Sequence, residues 1–118
     1  MARATPSNRR TGARYEEAAA DFLRQQGYEI LEKNYRDRYG EVDIVAREGR
    51  YLVFVEVKYR KDASCGYPEE AVSARKQQRI RHTASWYLYR HGCSEETPCR
   101  FDVVSILGED VFLIRDAF

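Results

Sequence analysis

Residues 40–58 read GEVDIVAREGRYLVFVEVK, and the fold hangs on how this stretch pairs with itself. Leu52-Val53-Phe54-Val55 is apolar at four consecutive positions. A strand that alternates would face water on one side; one that does not is covered on both, as a central strand is. Tyr51–Tyr59 is therefore expected as the central strand, with Glu41–Ala46 before it. Glu48-Gly49 supplies a two-residue turn.

That turn carries a register. With Arg47 opposite Arg50, Asp43 faces Phe54 and Glu41 faces Glu56. Directly opposed residues point to one side of a sheet. Glu41, Asp43, Glu56 and Lys58 are then expected on a single face. Asp43 and Glu56 are diagonal neighbours, roughly 7–8 Å apart. A four-residue loop keeps this parity, and an odd loop without a bulge reverses it.

Outward from this hairpin, Ala13–Gln26 reads as a helix with Thr11 as cap and Gly27 as stop. Ala19, Phe22, Leu23 and Gln26 mark its inward side, with Tyr15 a turn earlier. Glu16 lines up with Ala20 and Leu23, so it sits beside the buried face. Tyr28–Tyr35 alternates as a first strand. Pro68 is expected to open a second helix that runs to about His91. Its apolar stripe is Val72, Ile80, Ala84, Tyr87 and Leu88. Phe101–Leu107 and Val111–Ile114 are two further strands about Gly108-Glu109-Asp110. The order is α-β-β-β-α-β-β. It predicts an α/β fold: a mixed sheet of about five strands, flanked by two main helices.

Composition narrows the class. The chain has 118 residues, 43% apolar and 33% charged, which suits one globular domain. Residues 13–118 are expected to form it. Met1–Gly12 holds Arg3, Arg9 and Arg10 without an acid and reads as a flexible basic tail. No apolar run reaches membrane-span length, and the start lacks a signal peptide. Cys65, Cys93 and Cys99 are odd in number, which argues against a disulfide framework and for a reducing cytoplasm. His91, Cys93 and Cys99 match no zinc-knuckle spacing. The formal net charge is only +1, so any affinity for a polyanion must come from local clustering.

Such clusters exist. Arg36 and Arg38 precede the second strand, and Lys58, Arg60 and Lys61 end the third. Arg75, Arg79 and His82 share a stripe on the second helix. Phosphate tracking needs groupings of this kind, although solvated helix faces also carry them. Tyr39, Tyr59 and Tyr67 could stack on bases or pack at sheet ends. Lys76 lies between Val72 and Ile80 on the apolar stripe, so it either snorkels or points into a site.

The carboxylates suggest chemistry. Hydrolysis of a phosphodiester needs an attacking water and charge stabilisation on the phosphoryl oxygens, and a divalent cation serves both. Mg²⁺ or Mn²⁺ takes oxygen ligands, usually one or two carboxylates with waters and phosphate. Asp43 and Glu56 are the candidate metal ligands, and Lys58 a candidate to orient water or offset charge. Glu16 is a supporting candidate, able to reach the cluster from the first helix. The competing reading is an ordinary surface hairpin with solvated acids. Against it, Glu56 and Lys58 follow a doubly apolar run, where charges usually have a partner or a use.

Gly40-Glu41-Val42-Asp43-Ile44 with Val53-Phe54-Val55-Glu56-Val57-Lys58 resembles the YraN-like family of uncharacterised bacterial proteins. That family is related to the PD-(D/E)XK nucleases and archaeal Holliday-junction resolvases. The likeness extends from Gly12 to Phe118. It includes Glu16 with Ala19, Gly27-Tyr28, Asn34-Tyr35-Arg36, Gly66, Pro68 with Ala71-Val72, Lys76-Gln77 and Arg100-Phe101-Asp102-Val103-Val104. The resemblance implies a restriction-endonuclease-like α-β-β-β-α-β core. It implies metal binding by Asp43 and Glu56 and catalytic assistance from Lys58. Glu16 would match the resolvases' first-helix glutamate, and Lys76 a helix-two position near the site. Val42 stands where the nuclease signature has proline, and Tyr15 where a glycine usually precedes the glutamate.

Three functions follow as expectations. The first is a Mg²⁺- or Mn²⁺-dependent endonuclease on branched or single-stranded DNA, using Asp43, Glu56, Lys58, Glu16 and Lys76, with Arg36, Arg38, Arg60, Arg75 and Arg79 holding the nucleic acid. Two-fold substrates would suit a homodimer. The second is a nucleic-acid-binding module without turnover. The third is a protein-interaction domain that docks through Phe112–Phe118.

Overall fold

A computed structural model describes residues 8–61 and 72–118. Met1–Ser7, Cys65, Gly66, Tyr67, Pro68 and Ala71 lie outside the described residues. The elements are α1 (Asn8–Gln25), β1 (Glu29–Asp37), β2 (Gly40–Glu48), β3 (Tyr51–Arg60), α2 (Ala74–Arg90), β4 (Cys99–Leu107) and β5 (Asp110–Ile114). The expected α/β order is borne out.

Strand order in the sheet is β1-β2-β3-β4-β5. The first three strands are an antiparallel meander. β3 and β4 run parallel, with α2 in the crossover, and β5 returns antiparallel. β3 is central. Val53 and Val55 pack with Ala19, Ala20 and Leu23 of α1, while Leu52 and Phe54 pack with Ile80, Ala84 and Tyr87 of α2. The four-residue apolar run is thus divided between two cores, one per face. Each such side chain, fully buried, contributes about 1.5–3 kcal/mol.

Several element ends differ from expectation. α1 begins at Asn8, so residues 8–12 are helical and Thr11 lies inside the helix instead of capping it. The arginines on either side of Gly12 are good helix formers, and one glycine costs only about 1 kcal/mol. Gly27 does end α1, at φ +95°, and the Tyr28 N–H returns to the Leu23 carbonyl. Gln26 is exposed. Val72 precedes α2, which starts at Ala74 behind Ser73; the Ser73 hydroxyl accepts the Lys76 N–H at 3.2 Å.

The β2–β3 register is shifted by two from expectation. Glu48 pairs with Tyr51 and Ile44 with Val55, so the turn is Gly49-Arg50. Gly49 takes φ +59°, which a two-residue hairpin demands and only glycine adopts freely. A shift of two preserves side-chain parity.

Candidate metal and nucleic-acid site

The site lies where the sheet forks. The β2–β3 ladder runs from Glu48↔Tyr51 to Ile44↔Val55. Beyond that point β2 continues beside β1 as far as Gly40, and β3 beside β4 as far as Arg60. One more step of the register would oppose Asp43 to Glu56. Alternation also breaks here: Ile44 belongs to the α1-side core, yet Val42, two residues away, belongs to the α2 side. Across β1, the residue between those paired with Val42 and Ile44 is Asn34, at φ +56°. Two irregular residues face each other, and the sheet opens around Asp43.

Asp43 fills the fork. Its Oδ2 accepts the Val57 N–H at 2.7 Å, an amide on the β3 arm. Glu56 is only 6% exposed and takes the Lys76 ammonium on Oε1 at 2.9 Å. The Asp43 and Glu56 carboxyl groups border the same cleft, close enough for the charge of one to disfavour the charge of the other. Burial is the main cause that pushes Asp43 up to about 8, and the Glu56 charge adds to it. Burial also raises Glu16, with Glu41 next in effect. Burial lowers Lys58, and the charge of the neighbouring Lys76 lowers it further. Lys76 is raised: its contact with Glu56 outweighs the opposing effect of burial.

A cleft of about 210 Å³ opens onto this pair, lined by Tyr15, Glu16, Asp43, Glu56, Val57 and Tyr59. Tyr15 and Tyr59 stack at 3.9 Å between ring centroids and form one wall.

The elements deliver these groups from opposite sides. α1 brings Glu16 over one face of the sheet. α2 brings Lys76 over the other, where it meets Glu56 and Lys58. The expected single face for Glu41, Asp43, Glu56 and Lys58 is therefore corrected. Asp43 sits in the gap between strands, and Glu41 pairs with Arg36 at 3.1 Å. Glu16 borders the cleft, but among the described residues no three His, Cys, Asp or Glu side chains converge into a ready cage. That also leaves His91, Cys93 and Cys99 without a zinc cluster.

The basic candidates separate. Arg38, Arg75 and Arg79 are exposed. Arg36 is exposed but engaged with Glu41. Arg60 is half-buried, its guanidinium 3.5 Å from the Tyr59 carbonyl. At the C-terminus, Phe118 stacks on Phe101 at 5.3 Å under the Arg81 guanidinium, so part of the presumed docking segment packs on its own chain.

Two groups of residues escaped the sequence reading. Asp102 is fully buried and accepts the Tyr28 hydroxyl at 2.6 Å, Arg100 at 2.8 and 2.9 Å, and the Asp116 N–H at 2.9 Å. Glu48 completes this network with Arg100 and Arg115. The second is Trp86 with Tyr89, which continue a series of rings from the expected Tyr39 and His82. The i, i+4, i+7 spacing of His82, Trp86 and Tyr89 was the available signal.

Residues 15–106 match the family described as "Uncharacterised protein family UPF0102". A UPF0102 protein of Lachnoclostridium phytofermentans is 56% identical over 91% of both chains. One from Symbiobacterium thermophilum is 52% identical over 84% of this chain and 83% of its own. One from Chromohalobacter salexigens is 42% identical over 100% of this chain and 98% of its own. Among the described residues, no helix is long and apolar enough to cross a membrane.

Proposed function

The chain belongs to the UPF0102 family, and from that premise we propose that it is a divalent-metal-dependent nuclease that hydrolyses DNA phosphodiesters at the β2–β3 fork. One observation supports the reading: Asp43, Glu56 and Glu16 line a single cleft, where burial and the Glu56 charge push the Asp43 carboxyl up. A structural role would favour a neutral pair or a full ion pair. Two carboxylates held in mutual repulsion are what a cation relieves.

The donor set suits a hard ion, since Mg²⁺ and Mn²⁺ are held by one or two carboxylates and complete their shells with water and phosphate. Asp43 and Glu56 would hold it, and Glu16 borders the same cleft. Bound there, the cation supplies positive charge that acidifies a nearby water and offsets charge on the phosphoryl oxygens. Lys58, half-buried beside Lys76 and Glu56, would orient the attacking water or offset charge on the phosphoryl oxygens. Lys76 remains an ammonium at the cleft edge and holds Glu56 in place. Water attacks phosphorus, the bond to the leaving oxygen breaks, and that oxygen takes up a proton.

The test is cleavage of single-stranded, duplex and branched DNA with Mg²⁺, Mn²⁺ or chelator. Wild type should cut at least one of them only with metal. Asp43→Ala and Glu56→Ala should each lose at least about 100-fold, as removal of a group central to charge stabilisation does. No cutting by wild type, or equal cutting by the variants, defeats the reading.

A second reading has its own observation. The Lys76–Glu56 contact already neutralises one carboxylate. A binding module without turnover would keep its affinity for nucleic acid in chelator and after loss of both acids.

A further inference from the structure

On α2, Arg75, Arg79, His82, Trp86 and Tyr89 recur at intervals of four, three, four and three residues. That spacing sets them on one stripe about 21 Å long. The three rings continue into a fourth. Tyr39, at the β1–β2 turn, stacks on His82 at 4.1 Å and 22° and meets Trp86 edge-on at 5.6 Å. Trp86 in turn stacks on Tyr89 at 5.3 Å. The Arg38 guanidinium lies 5.7 Å from the Tyr39 ring.

Two local devices hold Tyr39 there. Asp37 accepts the N–H groups of Tyr39 and Gly40, which tightens the turn. Gly40 lets the hairpin lie against α2, since a Cβ there would come within 3.2 Å of the Thr83 hydroxyl.

Rings that serve the core of this protein are buried, as Phe54, Tyr35 and Tyr87 are. Tyr89 is 73% exposed, and His82 is exposed too. Charge indicates what covers them. α2 carries Arg75, Lys76, Arg79, Arg81 and Arg90 and no acid, in a chain whose net charge is +1. Aromatic faces interleaved with arginine, on a helix without an acid, match a strand with bases to stack and phosphates to neutralise.

We propose that the Tyr39–His82–Trp86–Tyr89 series, with Arg75 and Arg79 at its head, is a platform for unpaired bases, and that the substrate carries a single-stranded segment. This rests on the nucleic-acid reading of the carboxylate fork and names the form of nucleic acid it receives. A strand laid along the stripe reaches the end of α2 where Lys76 meets Glu56. A blunt duplex keeps its base faces stacked internally and cannot use the rings.

Trp86 is the chain's single tryptophan and reports directly on stacking. The experiment titrates the full chain, in chelator, with a thymidine oligonucleotide, a uridine oligonucleotide and a blunt duplex, under tryptophan-selective excitation. The single strands should quench Trp86, the duplex should not, and the two oligonucleotides separate DNA from RNA as the source. Tyr89→Ala should weaken binding about 5- to 100-fold, the usual range for one stacked base, with Tyr89→Phe restoring it. Tyr89 is exposed, so its replacement spares the core. Unchanged emission with every oligonucleotide overturns the platform, as does a Tyr89→Ala variant that binds like wild type. Quenching without cleavage under any metal supports the platform and defeats only the nuclease reading.

Discussion

Asp43 is held in a state that costs the folded chain something. Its carboxyl is raised to about 8 by burial and by Glu56. The unfolded chain binds that proton much more weakly, near the ordinary value of 3.8. Stability from this proton is therefore complete below pH ~4 and is lost as pH rises through about 8. Glu48 acts in the other direction. Arg115 and Arg100 hold it down to about 2, so its contribution is complete above pH ~4.5 and is lost as pH falls through about 2. Thermal denaturation of the metal-free protein should show Tm falling from pH 5 to pH 8, and Asp43→Asn should flatten that fall. On the metal-binding reading, Mg²⁺ or Mn²⁺ displaces the proton, so Tm should rise more with metal at pH 8 than at pH 5. A wild-type Tm that is flat across this window would count against the buried proton. That Asp43 and Glu56 lie near each other was legible from the hairpin register, although the single shared face did not hold, because alternation breaks between Val42 and Ile44. The expected turn was off by one residue, which moves the register by two.

Among the elements, the fork and the Asp102 network lie close together in register: Asp102 pairs with Val55, where the β2–β3 ladder ends, and Val103 with Glu56. On one side β2 and β3 part around Asp43. On the other, Asp102 draws together β4, the Tyr28 segment after α1, and Asp116 beyond β5. Glu48 and Arg115 tie the end of β2 into the same group. Every acceptor position of Asp102 is used, and Asp102 is fully buried, so removing it deprives the Tyr28 hydroxyl and the Arg100 Nε of their acceptor and leaves Arg100 with Glu48 alone. Asp102→Ala should lose about 3–5 kcal/mol in urea denaturation. Tyr28→Phe, which deletes one hydroxyl and leaves the ring, should lose about 1–2 kcal/mol. A loss under 1 kcal/mol for Asp102→Ala would show that the network is dispensable. Its members are remote in the chain, from Tyr28 to Asp116. No local pattern announces such a set. The strands, by contrast, were legible from apolar runs and turn residues. The first helix start was misplaced because Thr11 is a start signal that a longer helix can override, and α2 starts at Ala74 because Ser73 caps it.

For the whole molecule, a net charge of +1 conceals a strongly uneven surface. Five cations without an acid lie on α2, and acids are spent elsewhere in pairs such as Lys33–Glu17 and Arg115–Glu48. If α2 tracks phosphates, affinity for a single strand should fall steeply with salt. Replacing Arg75 and Arg79 by Ala should weaken binding and reduce the slope of log K against log salt by about 1.4, near 0.7 per lost phosphate contact. An unchanged slope in fluorescence anisotropy would show that these arginines face water only.

The amino-acid order by itself determined the α/β class, the succession of elements, the central place of β3 and the pairing of Asp43 with Glu56. These follow from periodicity and parity, which neighbouring residues carry. Only the tertiary structure decided that the sheet forks at Asp43, that Lys76 crosses from α2 to Glu56, that Asp102 gathers its partners, and that Tyr39 joins the rings of α2. Those contacts join residues remote in the chain, and their geometry exists only once two helices are packed on opposite faces of one sheet.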